Sequence, residues 1–183
     1  MINISKIYAS HSTTGDPLRY GHQHTGQVSH SHHFKGHQTA RSAAERRPVV
    51  VWNISKRCNL KCIHCYTNSD CNTAPDELSF AEGQALIDDL ADFKIPALLF
   101  SGGEPLMRPD VFDLAAYAVK SGLRPVLSTN GTLITPEVAQ KIKDIGFIYA
   151  GISLDGIGAT NDHFRGVSGA FGKAMDGFRN CLG

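Results

Sequence analysis

From Pro48 onward one pattern recurs four times: a short apolar run, a polar loop, then a stretch whose apolar residues return at helical spacing. Strands and helices alternating through short connections build a parallel sheet with right-handed crossovers, so the expected fold class is α/β. The strand runs are PVVVWNIS, PALLFS, RPVLST and FIYAGISL, and the first reads as a fully buried parallel strand. Ser79 and Glu82 form a capping box that opens a helix reaching about Phe93, with Leu86, Ile87, Leu90 and Phe93 on one face. A second helix is expected from about Asp110 to Ser121, stopped by Gly122 in a left-handed cap. Thr135 and Pro136 open a third, striped by Val138, Ile142 and Ile145 and ended by Gly146. Phe171, Met175, Phe178 and Leu182 mark a fourth, read as a core stripe, with Cys181 also expected in the core.

Four strands are too few to close a barrel of this type, and the last helix reaches Gly183 with no cap. The expectation is a fragment, with residues 48–183 forming the N-terminal part of a core domain. Residues 1–47 differ: seven of the nine histidines lie between His11 and His37, among Gly, Ser, Thr and Gln. That composition predicts a largely disordered N-terminal extension; the competing reading makes His22, His24, His30, His32, His33 and His37 ligands for a metal or haem iron.

Charge excludes some partners. Eighteen Lys plus Arg against 17 Asp plus Glu produce no field to draw the chain to nucleic acid or to an acidic membrane. The polar start, MINISKIYASHSTTG, lacks the apolar core of a secretory signal, and the apolar runs are strand-sized, so the expected location is cytoplasmic. Five cysteines, three within eight positions, suit thiolates kept reduced for metal binding.

The unusual loops share one end of the expected sheet: CNLKCIHC follows strand one, GGEP strand two, STNG strand three, and SLDG closes strand four. That end is where parallel α/β folds build their sites. Cys58, Cys62 and Cys65, spaced C-x3-C-x2-C, supply three of the four ligands of a 4Fe-4S cluster and leave one iron open. An open iron can take the amine and carboxylate of S-adenosylmethionine (SAM) and deliver an electron to its sulfonium, releasing a 5′-deoxyadenosyl radical. A zinc site with Cys71 as fourth ligand is the alternative. Gly102 and Gly103 let backbone approach a ligand, Glu104 offers an acceptor for an ammonium, and Pro105 stiffens the turn. Ser128, Thr129 and Asn130 offer polar groups at the third strand end or a simple helix-opening turn. Ser153 and Asp155, with Asp162, His163 and Arg165, could hold ribose hydroxyls and a carboxylate, or Arg165 could form only a surface ion pair.

These motifs, in this order, resemble the radical SAM superfamily. Its C-x3-C-x-aromatic-C signature matches Cys58 to Cys65 with His64 in the aromatic slot, and GGEP matches its SAM-amine motif; the likeness runs from about Val49 to the C-terminus. It implies the first four units of a partial (β/α)6 TIM-like barrel. It also implies a 4Fe-4S cluster on Cys58, Cys62 and Cys65, and SAM contacts from His64, Gly102, Gly103, Glu104, Pro105, Asn130, Ser153, Asp155 and Arg165. Auxiliary 4Fe-4S clusters are expected only in a C-terminal SPASM-type extension beyond this chain.

Within the superfamily, VVVWNISKRCNLKCIHCYTNSD and GISLDGIGATNDHFRG look like the tetrapyrrole-tailoring branch that acts in alternative haem and haem d1 synthesis. MINISKIY and PLRYG look most like its deacetylase type, which implies removal of acetate side chains from didecarboxysiroheme to give iron-coproporphyrin III. The implied partners are a tetrapyrrole and a low-potential electron donor such as ferredoxin or flavodoxin. Two other readings stay open: SPASM-type modification of a ribosomal peptide, and a metal-binding fragment without catalysis.

Overall fold

A computed structural model describes residues 47–72 and 77–183, and the expectations for the histidine-rich stretch lie outside them. Four parallel strands, β1 (Val50–Ser55), β2 (Leu98–Gly102), β3 (Pro125–Thr129) and β4 (Tyr149–Ile152), stand side by side in chain order. Between them run helices α1 (Phe80–Asp92), α2 (Val111–Lys120) and α3 (Pro136–Ile145); α4 (Ala159–Arg165) and α5 (Ala170–Leu182) follow β4. Each new strand lies beside the last, which is how a singly wound barrel wall grows. No helix among the described residues is long and apolar enough to cross a membrane.

Register explains which side chains are covered. Trp52, Phe100, Leu127 and Ala150 form one row across the sheet and pack with Ile87, Leu114, Ala118 and Ile142 from α1 to α3. The next row, Val51, Leu99, Val126 and Tyr149, points the other way, and its outer members are half exposed at 51% and 54%. β1 is therefore covered on one face only, where its sequence read as buried on both, because period-two alternation sends Val51 away from the helices.

The caps follow the sequence closely. Ser79 and Glu82 close a reciprocal capping box, and Thr135 accepts from the Val138 N–H ahead of Pro136. Gly122 and Gly146 take positive φ after α2 and α3. Phe93 departs from expectation: it caps α1 at 49% exposure, under the guanidinium of Arg47. On α5 the expected Phe178 and Leu182 are exposed and Ala170, Ala174 and Gly177 are buried instead. Small residues win that face because the helix lies directly on the β3 loop, where a Cβ on Gly177 would sit 2.1 Å from the Gly131 carbonyl oxygen. Cys181, expected in the core, is exposed.

Candidate active site

The cysteine loop leaves β1 at Ser55 and is fixed by backbone before any side chain acts. Gly103 N–H donates to Ser55 O and Glu104 N–H to Arg57 O, each at 2.7 Å. Contact this close admits no Cβ: one on Gly102 would lie 2.2 Å from Ser55 O, and one on Gly103 2.3 Å from Arg57 O. Gly102 also has φ +129°, beside an irregularity in the β1–β2 register. The paired glycines, expected from sequence to admit a ligand, first of all let two stretches of protein backbone meet; both still line the cavity described below. On the far side, Lys61 N–H donates to Arg165 O and Ile63 N–H to Phe164 O, so the end of α4 clamps the residues flanking Cys62. Gly166, φ +67°, lets the chain pass the Lys61 carbonyl.

Glu104 stands differently from its sequence expectation. Its carboxylate is fully buried, accepting from Thr129 Oγ1 (2.7 Å), the Asn130 N–H (2.8 Å) and the Leu106 N–H (3.1 Å), and it does not line the cavity. Burial pushes its carboxyl above the ordinary value against the downward pull of those three donors. Pro105, also buried, starts the single helical turn Pro105–Met107 that brings the Leu106 N–H round. Arg108, which nothing in the sequence singles out, donates to Ile54 O (3.0 Å) and Leu78 O (2.8 Å) and pairs with Asp110, tying the loop to β1.

From this platform Asn130 reaches back. Its Nδ2 donates to Asn59 Oδ1 at 2.8 Å and lies 3.9 Å from Cys58 Sγ, while its Oδ1 accepts from Thr132. Asn59 closes the ring on Thr132 Oγ1 at 2.8 Å. After β4, Ser153 donates its backbone N–H to Thr129 O, and Asp155 donates its own to the buried Asn161 Oδ1. Asp155 Oδ2 stands 2.7 Å from Arg165 Nε and 3.3 Å from His64 Nε2. Helix α4, which the sequence reading did not assign, brings Asn161 and Arg165 here; its signal was Gly158 and Gly166 bracketing a seven-residue run.

All these elements face a cavity of about 510 Å³ at the C-terminal ends of the strands, lined by Cys58, Cys62, His64, Cys65 and Tyr66, by Gly102 and Gly103, by Ser128 and Asn130, and by Ser153, Asp155 and Arg165. Its size is that of a small-molecule cofactor site. Each thiol has a donor: Leu60 N–H and Asn130 at Cys58, Arg165 Nη1 at Cys62 (3.8 Å), Thr67 Oγ1 and Ser69 N–H at Cys65. Burial raises the Cys58 thiol, with the Glu104 charge adding to it. At Cys65 burial is the largest single influence, but hydrogen bonds from Thr67 and Ser69 together outweigh it and lower the thiol.

The residues fit an iron-sulfur cluster with a bound small molecule. Cys58, Cys62 and Cys65 line the cavity and Cys71 does not, a set that would serve three irons of a four-iron cluster and leave the fourth without a cysteine. No group of three or more His, Cys, Asp or Glu among the described residues could hold one ion, as the zinc alternative requires; thiolates at three corners of a cluster bind three different irons and need not converge. Asp155 Oδ2 and Arg165 Nε are buried together on the cavity wall, paired with each other at 2.7 Å, a charged pair that a polar ligand would meet.

Comparison with known proteins agrees. The radical SAM superfamily profile matches residues 52–182. Fe-coproporphyrin III synthase of Methanosarcina barkeri is 51% identical over 181 residues, covering 99% of this chain and 43% of that protein. Pre-heme d1 synthase of Dinoroseobacter shibae is 52% identical over 135 residues, 74% of this chain and 33% of that protein. This chain thus spans less than half the length of either. Among solved structures, native anSMEcpe with bound AdoMet superimposes with TM-score 0.60 at 23% identity, covering 72% of this chain and 39% of that one, a likeness of fold. Strand order, the cavity at the strand ends and the three cysteines on its wall all accord with these matches: the chain belongs to the radical SAM superfamily.

Proposed function

We propose that Cys58, Cys62 and Cys65 hold a 4Fe-4S cluster and that the adjoining cavity holds SAM, in an enzyme that tailors a tetrapyrrole. When bound and reduced, the cluster would supply one electron to the SAM sulfonium, whose C5′–S bond would break to give methionine and a 5′-deoxyadenosyl radical. The observation carrying the reading is the convergence of three thiols with the ends of all four strands on one cavity.

The chain's own residues then have separable tasks. Asp155 and Arg165, poised on the wall, take ribose hydroxyls and a carboxylate, with Ser153 and His64 beside them. Gly102 and Gly103 offer backbone to the cofactor from a turn too tight to sag. Glu104 and Pro105 act from behind the wall: the buried carboxylate fixes Thr129 and Asn130, and Asn130 in turn holds the cysteine loop.

For the substrate we infer a siroheme-derived tetrapyrrole, didecarboxysiroheme losing two acetate groups to give iron-coproporphyrin III. The support is the 51% identity to Fe-coproporphyrin III synthase over nearly the whole chain. A second reading, haem d1 synthesis, is favoured by the 52% match to pre-heme d1 synthase, which covers less of the chain. The electron would come from a ferredoxin or flavodoxin in the cytoplasm, where thiols stay reduced. A chimera tests the substrate: this chain replaces the matching segment of the Methanosarcina barkeri synthase, and the product is followed by mass spectrometry under anaerobic conditions. Conversion of didecarboxysiroheme is expected; a chimera that cleaves SAM yet leaves the acetate groups intact would overturn the assignment.

A further inference from the structure

We propose that Arg165 sets the reduction potential of the cluster by acting through Cys62. This rests on the reading that the three cysteines hold a 4Fe-4S cluster. The three sulfurs are not equivalently surrounded. Cys58 receives a backbone N–H from Leu60 and the neutral amide of Asn130; Cys65 receives a neutral hydroxyl and the Ser69 N–H. At Cys62 the donor is a guanidinium, Arg165 Nη1 at 3.8 Å from the sulfur.

That cation is held in place from two directions. Its backbone carbonyl receives the Lys61 N–H, and the neighbouring Phe164 carbonyl receives the Ile63 N–H, so the residues on both sides of Cys62 are pinned to the turn that carries Arg165. Its side chain is 12% exposed and lies against Asp155, Nε to Oδ2 at 2.7 Å. A charge so placed is poorly screened.

When an oxidised cluster accepts one electron from an external reductant, its core and thiolates gain negative charge. A cation at a ligand sulfur stabilises the reduced form and raises the potential, while the Asp155 carboxylate offsets part of that effect. Substitutions at the two residues should therefore move the potential in opposite directions. A residue that only braced the loop would move it in one direction or not at all.

The test is an anaerobic redox titration of the reconstituted 183-residue chain, with the reduced cluster read by electron paramagnetic resonance and no turnover required. Arg165→Gln should disfavour reduction about tenfold, a shift of about 59 mV downward for one electron. Arg165→Lys, which keeps the charge, should stay nearer the wild type, and Asp155→Asn should shift upward. Equal potentials in wild type and Arg165→Gln, or shifts of one sign in Arg165→Gln and Asp155→Asn, would overturn the proposal. If Arg165→Gln fails to assemble a cluster, Asp155→Asn decides: a potential at or below wild type overturns it. A wild-type chain with no four-iron signal would refute the cluster reading itself, an outcome distinct from an intact cluster whose potential does not respond.

Discussion

Replacing Gly103 by alanine should break the join between β2 and the cysteine loop. The added Cβ would meet Arg57 O at 2.3 Å, Arg57 C at 2.8 Å and Lys56 O at 2.9 Å, all backbone atoms that cannot rotate away. Restoring ordinary contact needs a displacement of about 1 Å, which pulls apart the two 2.7 Å hydrogen bonds from Gly103 and Glu104. Overpacking costs about 1–3 kcal/mol and each weakened bond about 1 kcal/mol, so the sum is about 3–5 kcal/mol. Against a stability on the order of 5–15 kcal/mol this is a large loss, and in urea it moves the midpoint down by about 2 M. Unfolding of the apo chain followed by circular dichroism reads it. Gly172→Ala is the internal control: on α5 its Cβ meets nothing within 4 Å, and it should leave stability unchanged or raise it by up to about 1 kcal/mol. A Gly103→Ala midpoint equal to wild type, or an equal loss in Gly172→Ala, would refute the reasoning.

Glu104→Gln should cost about 1–3 kcal/mol, because both carboxylate oxygens accept hydrogen bonds and an amide turns one of them into a second donor; the same urea titration measures it. In the apo chain Cys65, with its lowered thiol, should be alkylated by iodoacetamide faster than the buried Cys58 with its raised one, as mass spectrometry of timed samples would show. Asp162 accepts the N–H groups of Gly169 and Phe171, and these bonds hold its carboxyl below the ordinary value. Its stabilisation is therefore present above the unfolded carboxyl value and lost as pH falls through the folded one. Asp162→Asn should be less stable at neutral pH and show a flatter acid limb in thermal unfolding from neutral pH to pH ~2.

Local chemistry was the legible part of the sequence. The Ser79–Glu82 box, the Thr135–Pro136 start and the glycine stops act within a turn of chain, so their residues suffice to place them. Long-range approach was not legible. Nothing near Gly177 announces that the β3 loop lies against it, so α5 read as a stripe of Phe and Met when it is the small residues that are buried. The site showed the same division. Spacing grouped the three cysteines, yet the charged donor at Cys62 is Arg165, 103 residues away. Glu104 read as a ligand group because its loop faces the site, but the backbone turns its carboxylate inward onto Thr129 and Asn130.

The central claim, an open-sited cluster on three cysteines that binds SAM, is most directly tested by anaerobic reconstitution of the 183-residue chain and its single alanine variants, with iron counted and the reduced cluster's resonance recorded with and without SAM. The account predicts about four irons per chain and a spectrum that changes on adding SAM. It also predicts loss of the cluster in Cys58→Ala, Cys62→Ala or Cys65→Ala and its retention in Cys71→Ala. A cluster that survives loss of Cys58, Cys62 or Cys65, one that depends on Cys71, or a spectrum indifferent to SAM would contradict it.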